Sequence, residues 1–158
     1  MKKLKFLSLL MAVVALMTAC NKDDDKTEES GISVQYDGVT WKSTNVSAAY
    51  ASDSDETVIS GANATFGEQI VLSFSGSNTG SLPITESIES PIISFSLGQT
   101  GTFTTLFSDN PTGEVVITKF DKEKKLISGT FHCKAEDIDG VEKEFTNGTF
   151  TNISYISN

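Results

Sequence analysis

The sequence predicts an all-β domain, an antiparallel β-sandwich of about eight to ten strands with a closed β-barrel as the alternative. Three observations predict it. From about Ile32 onward the chain is rich in Thr, Ser, Val, Ile and Phe, residue types that suit a pleated, half-buried surface. Glycine punctuates the sequence roughly every 8 to 12 residues, the spacing of short strands joined by turns. No stretch keeps the 3.6-residue period of an amphipathic helix long enough to form one.

The elements follow in order. Asp37-Gly38 separates a segment ending at Tyr36 from one starting at Val39, and suits a tight hairpin turn that needs positive φ. In Glu68–Ser75, Ile70, Leu72 and Phe74 share one face. Val115–Phe120 leads through the polar connection Lys122–Lys125 into Leu126–Glu136, the clearest alternation in the chain. There Ile127, Gly129, Phe131, Cys133 and Ala135 face one way, and Ser128, Thr130, His132, Lys134 and Glu136 the other. Such a strand covers a core on one side and meets water on the other. Asp139-Gly140 then turns the chain into a last segment. Asn147-Gly148 reads as a second hairpin turn or as a bulge within one long strand, and either brings Phe145 and Phe150 to the same face. So many strands must fold over or close up to hide their apolar side.

Ahead of this domain stands a leader. Lys2, Lys3 and Lys5 precede an apolar run from Phe6 to Met17 broken by Ser8, followed by Thr18 and Ala19. The run is about a dozen residues, short of the roughly 20 that a spanning helix needs, and its order of charge, apolar stretch and small residues is that of a secretory signal. Leu16-Met17-Thr18-Ala19-Cys20 resembles the bacterial lipobox, in which the cysteine sulfur takes a diacylglyceryl group before cleavage; Met17 stands where a leucine is usual. The organisation expected is a signal peptide over 1–19, a lipidated Cys20 with a flexible acidic tether over 20–31, and a single β domain over 32–158. The tether is almost devoid of apolar residues, so it has little to bury against its ordering entropy. Within it, Lys22-Asp23-Asp24 resembles the lysine-plus-two-acids signal that sends Bacteroidota lipoproteins to the cell surface.

Composition narrows the partners. The chain has 12 basic and 21 acidic residues, with no arginine; removing Lys2, Lys3 and Lys5 with the leader leaves nine basic residues and a net charge of −12. Nucleic acid is excluded as an expected partner, because phosphate binding depends on a cationic patch. Anionic headgroups repel such a chain, leaving the acyl chains as the membrane contact. With Cys20 committed to lipid, Cys133 has no partner for a disulfide.

Gly113-Glu114-Val115-Val116-Ile117-Thr118, Ile127-Ser128-Gly129-Thr130-Phe131 and Phe145-Thr146-Asn147-Gly148-Thr149-Phe150 resemble the C-terminal pattern of a family of small, uncharacterised Bacteroidota lipoproteins, with a weaker echo in Asp37-Gly38-Val39-Thr40-Trp41. The resemblance covers roughly residues 113 to 153. It implies an all-β domain behind a lipid anchor and carries no active-site residues to transfer.

Chemistry-bearing residues are sparse. His132 is the sole histidine and belongs to the polar face of its strand, whereas Cys133 points into the core, so no nucleophile and base are paired. One histidine and one free thiol cannot furnish a zinc set. Glu136-Asp137-Ile138-Asp139-Gly140 and Asp53-Ser54-Asp55-Glu56 offer oxygen ligands suited to calcium, but both also read as solvated turns. No catalytic residue, metal or cofactor is therefore expected. Trp41, Tyr36, Tyr50 and Tyr155 are the candidate binding aromatics, a platform for a glycan or protein partner. The function expected is a non-catalytic binding or interaction module held by N-terminal lipid at the bacterial outer membrane and displayed at the cell surface, with the periplasmic face as the other location. The alternatives are a carrier of a small apolar ligand in a barrel and a structural subunit of an outer-membrane complex.

Overall fold

Eleven strands follow one another along the chain: β1 (Gly31–Tyr36), β2 (Val39–Lys42), β3 (Asn45–Ala51), β4 (Glu56–Asn63), β5 (Glu68–Ser75), β6 (Gly80–Pro83), β7 (Ile92–Leu97), β8 (Thr102–Thr104), β9 (Thr112–Asp121), β10 (Leu126–Glu136) and β11 (Glu142–Ser157). They come from a computed structural model that describes residues 29–65 and 67–158. The signal peptide, Cys20, and the tether residues Lys22, Asp23 and Asp24 lie outside the described residues. A single 3-10 turn, Gly98–Thr100, is the helical element among the described residues. The strands exceed the eight to ten expected because β2, β6 and β8 are four, four and three residues long, too short to display an alternation in sequence.

All eleven strands belong to one sheet, folded into two layers. One layer runs β6-β9-β10-β11-β1-β2 and the other β3-β4-β5-β7-β8. The layers join at both margins. Tyr155–Ser157 at the end of β11 pair in parallel with Ala48–Tyr50 of β3, and Glu136 of β10 bridges Thr104 of β8. The sandwich is thus closed in the manner of a barrel. Its one departure from an antiparallel arrangement, β11 with β3, arises because β11 outruns its pairing with β1, which ends at Thr151. Its free end then meets a strand entering from the same side.

The interior is built by alternation. Ile59, Ile70, Leu72, Ile93 and Phe95 face inward from one layer, and Val115, Ile127, Phe131, Phe145 and Phe150 from the other, all at most 2 % exposed. Phe95 and Phe145 stack across the layers with centroids 3.8 Å apart and planes within 1°. Such pairs contribute about 0.5–1.5 kcal/mol beyond the area they bury.

β11 departs from strict alternation, and the departures are informative. Phe145, Gly148, Phe150, Ile153 and Tyr155 are its buried positions, so steps of three alternate with steps of two. Each step of three is a bulge. Between Phe145 and Gly148 the register with β10 slips by one residue, as it does between Phe150 and Ile153. Asn147 (φ 51°) and Asn152 (φ 45°) take up the left-handed backbone at these two slips, a conformation that asparagine tolerates better than most residues. Asn147-Gly148 is therefore a bulge and not a turn, and Phe145 and Phe150 do share a face. The glycines of this region answer to aromatic rings: Gly148 lies opposite Phe131 and Gly129 opposite Phe150. A Cβ at Gly148 would sit 2.6 Å from three carbons of the Phe131 ring, and one at Gly129 would overlap the Val116 carbonyl oxygen and the Phe150 ring.

The turns divide similarly. At Asp37-Gly38 both residues have positive φ, 49° and 75°, as a two-residue hairpin requires. At Asp139-Gly140 only the glycine does, with φ 78°. That longer turn is held instead by the Asp137 carboxylate, which accepts hydrogen bonds from the N–H groups of Asp139 (3.0 Å) and Val141 (2.8 Å).

Candidate functional site

The margin where β8 meets β10 is the weaker of the two closures, a single bridge, and two connections fill the gap beside it. Residues 84–91 join β6 to β7, and residues 105–111 join β8 to β9. The first is tied into a self-contained loop by its hydroxyls: the Thr85 N–H donates to Ser90 Oγ at 2.8 Å, the Ser87 N–H to Thr85 Oγ1 at 3.3 Å, and the Glu89 N–H to Ser87 Oγ at 3.3 Å. Ile84 at its root is buried and anchors it to the core. The second connection is fixed by the Ile93 N–H donating to Thr105 Oγ1 at 3.1 Å and by Ser108 Oγ donating to Glu136 Oε1 at 2.8 Å.

Between the two connections lies a cavity of about 240 Å³, with Ile84, Thr85, Ile88, Pro91, Leu106 and Ser108 on its walls. Glu86 is the charged side chain that lines it. Ile88 is fully exposed and Leu106 is 64 % exposed, with Phe107 beside it at 49 %. These are large apolar side chains left in water on connections rich in Ser, Thr, Pro and acid. Sequence reasoning missed these residues. The one signal was Ile88 between Ser87 and Glu89 and the pair Leu106-Phe107, apolar residues within connections rich in turn formers.

The four aromatic residues nominated from sequence do not form an exposed platform, and that reading is corrected. Trp41 and Tyr155 are each only 4 % exposed, and Tyr36 and Tyr50 are half-buried against the core. Tyr36 packs 5.6 Å from Phe145, while Tyr50 packs 5.9 Å from Phe120, which itself lies 4.9 Å from Tyr155. The hydroxyls reach polar groups at the margin: Tyr36 donates to Glu68 Oε1 at 3.4 Å, Tyr50 to Asp55 Oδ1 at 2.9 Å, and Tyr155 to the Asp121 carbonyl at 3.4 Å. Burial, with Glu68 second, pushes the Tyr36 phenol above its usual range. The physical reason is area: such rings stabilise the domain more by closing the ends of the sandwich than by meeting solvent.

His132 and Cys133 are placed as their strand's alternation requires. His132 is exposed on the outer face, beside a groove lined by Thr130, Asn147 and Thr149. Cys133 is buried, and desolvation pushes its thiol up to about 12, so it stays protonated and inert at neutral pH. The two side chains leave opposite sides of β10 and do not form a pair. Among the described residues, no group of three or more His, Cys, Asp or Glu side chains is arranged to hold a metal ion. Asp137 and Asp55, each within one of the two acidic turns, spend an oxygen on the backbone and on Tyr50 respectively.

One further cluster gathers at the β1–β2 hairpin. Lys143 forms an ion pair with Asp37, and its ammonium lies 5.8 Å from the Tyr36 ring centroid and 5.1 Å from that of Phe103. Its side chain is only 14 % exposed. The arrangement fastens the hairpin to the sandwich.

No helix among the described residues is long and apolar enough to cross a membrane. No curated protein and no solved structure matches the chain. A family match spans residues 28–154, from just before β1 to Ser154, where the pairing of β11 with β10 ends, and the chain thereby belongs to the family described as a domain of unknown function, DUF6252.

Proposed function

We propose that this protein is a non-catalytic binding or interaction module, tethered by lipid on Cys20 at the outer membrane of a Bacteroidota cell and displayed at the surface. The observation that carries the anchoring is the order Lys2, Lys3, Lys5, a short apolar run, then Thr18-Ala19-Cys20. Each buried acyl methylene contributes about 0.8 kcal/mol, so two or three chains on one cysteine hold a protein durably. Lys22-Asp23-Asp24 supports outward display. Labelled palmitate tests the anchor: label on the wild-type chain and none on Cys20→Ala is expected, and label surviving Cys20→Ala overturns it. External protease on intact cells tests display, and complete protection assigns the periplasmic face.

The binding role is supported by the exposed Ile88, Leu106 and Phe107 around the margin cavity. Separation of His132 from Cys133 and the high thiol pKa support a role without catalysis. The carrier alternative finds less support, because the stacked Phe95 and Phe145 occupy the centre that a carried ligand would need. Pull-down from envelope extracts with wild type and with Ile88→Ser/Leu106→Ser distinguishes the readings. A partner captured only by wild type fits the module, whereas native mass spectrometry showing a co-purified small apolar ligand fits the carrier.

A further inference from the structure

The two outer faces of the sandwich differ in charge. On the six-strand layer the outer face carries Lys42, Glu114, His132, Lys134, Glu142 and Glu144, with Lys134 and Glu142 paired at 3.0 Å. On the five-strand layer the outward positions are those that alternate with buried Ala48, Ile59, Leu72, Ile93 and Phe103. Across β3, β4, β5, β7 and β8 these include one charged residue, Glu56 at a strand end. A chain of net charge −9 thus leaves one broad face almost uncharged.

That face has the anatomy of an interface. Its centre is built of small, uncharged side chains: Ala49 lies opposite Val58, Ser60 opposite Val71, and Val71 in turn opposite Ser94. All of them are partly shielded by their neighbours. Its rim is polar and neutral, with Asn45, Ser47, Gln69 and Thr102 exposed. Depletion of charge at the centre is a mark of specific protein contacts. Several of its hydroxyls are already paired, Ser47 with Ser60 at 2.8 Å and Ser94 with Thr104 at 2.8 Å. Drying the face therefore strands few polar groups. The small side chains also leave it flat enough for sheet-on-sheet packing.

We propose that this face is where two copies of the chain meet, back to back about a two-fold axis. Charge selects that occupant: two copies of an acidic protein repel one another over most approaches, and on this face they meet without like charges opposed. Area agrees. Five strands spaced ~4.8 Å apart and about seven residues long at ~3.4 Å each cover on the order of 550 Å² per copy. Two copies bury roughly 1,100 Å², near the lower bound of specific interfaces. The pair is accordingly weak in dilute solution, and tethering on a membrane raises its occupancy. Self-association through this face does not depend on the anchor.

Sedimentation equilibrium on the full chain carrying Cys20→Ala reads the association directly. A monomer–dimer equilibrium with a Kd below about 1 mM is expected. Ser60→Glu and Ser94→Glu each put a carboxylate on the buried face of both copies, and are expected to weaken the dimer at least tenfold. Ala62→Gln, neutral but bulkier, weakens it as well and guards against loss of folding in the charged variants, which circular dichroism checks. Thr130→Glu, on the opposite outer face, leaves the dimer intact. A single monomeric mass up to about 1 mM overturns the proposal. So does a dimer that survives both serine variants, or one that Thr130→Glu disrupts equally, or a face occupied instead by a different protein.

Discussion

Trp41 offers the sharpest test of how the core is held together. It is the sole tryptophan, 4 % exposed on β2, with Val34 as its cross-strand partner. Its indole Nε1 is buried and has no hydrogen-bond partner among the described residues. A buried donor left unpaired costs about 1–3 kcal/mol. Trp41→Phe removes that N–H and keeps an aromatic ring. The smaller ring leaves a void of roughly 40 Å³, which at about 24 cal/mol per Å³ costs about 1 kcal/mol, and the lost transfer free energy of the removed atoms adds about 1 kcal/mol more. The balance is a variant within about 1 kcal/mol of the parent. Trp41→Ala, which deletes the ring as well, loses about 3–5 kcal/mol. Urea unfolding followed by far-ultraviolet circular dichroism measures both, with the slope checked for constancy. A loss of about 2 kcal/mol or more in Trp41→Phe would refute the reasoning, because it would mean that the indole N–H is satisfied and contributes to stability.

Other perturbations have equally definite outcomes. Gly148→Ala drives a methyl group into the Phe131 ring and is expected to cost about 1–3 kcal/mol by overpacking, read as a lower thermal midpoint. Asn147→Gly keeps the left-handed backbone (φ 51°) and should change stability by less than about 1 kcal/mol. Deleting Asn147 instead turns the step of three between Phe145 and Gly148 into a step of two, so Phe145 stays inward opposite Cys133 while the bend of the bulge is lost; this variant should still fold cooperatively, and loss of the melting transition would contradict the register described. Cys133 should resist alkylation in the folded protein at pH 8 and react once urea unfolds it. Because its folded thiol is pushed up to about 12 from 9.0, the stability it contributes is full below pH 9 and is lost as pH rises toward 12. Cys133→Ala should flatten that alkaline decline.

What the sequence disclosed depended on the length of each alternating run. Glu68–Ser75 and Leu126–Glu136, eight and eleven residues long, appear as strands with the boundaries read from their pattern. The inward set Ile127, Phe131, Cys133 and Ala135 is buried throughout. Trp41 sits in a strand of four residues, where one apolar position cannot declare which face is inside, and so its ring was open to being read as exposed. Asn147-Gly148 carried a legible turn-or-bulge signal. Asn152 does the same work with no glycine after it, and its bulge was silent. The parallel contact of β11 with β3 joins residues about a hundred positions apart, and no local pattern encodes it. The margin site was hidden for a related reason. Ile88 and Leu106 come from connections between different strand pairs, and only the closing of the sandwich brings them to one cavity.

The two bulges in β11 explain how one strand can serve both layers. A bulge adds local twist and bends its strand, and two of them five residues apart, at Asn147 and Asn152, turn β11 across the width of the sheet. Its first part pairs with β10 and β1, and its last three residues with β3. That curvature closes one margin with continuous backbone hydrogen bonds. The opposite margin has no such strand: β8 is three residues long and touches β10 at one position. The chain covers the remaining gap with connections, and connections tolerate variation where strands do not. The asymmetry follows from where the bulges lie. The β11 side is committed to closing the sandwich, while the β8 side is free to carry Ile88, Leu106 and the cavity between them, which places the candidate contact surface at the margin that stability constrains least.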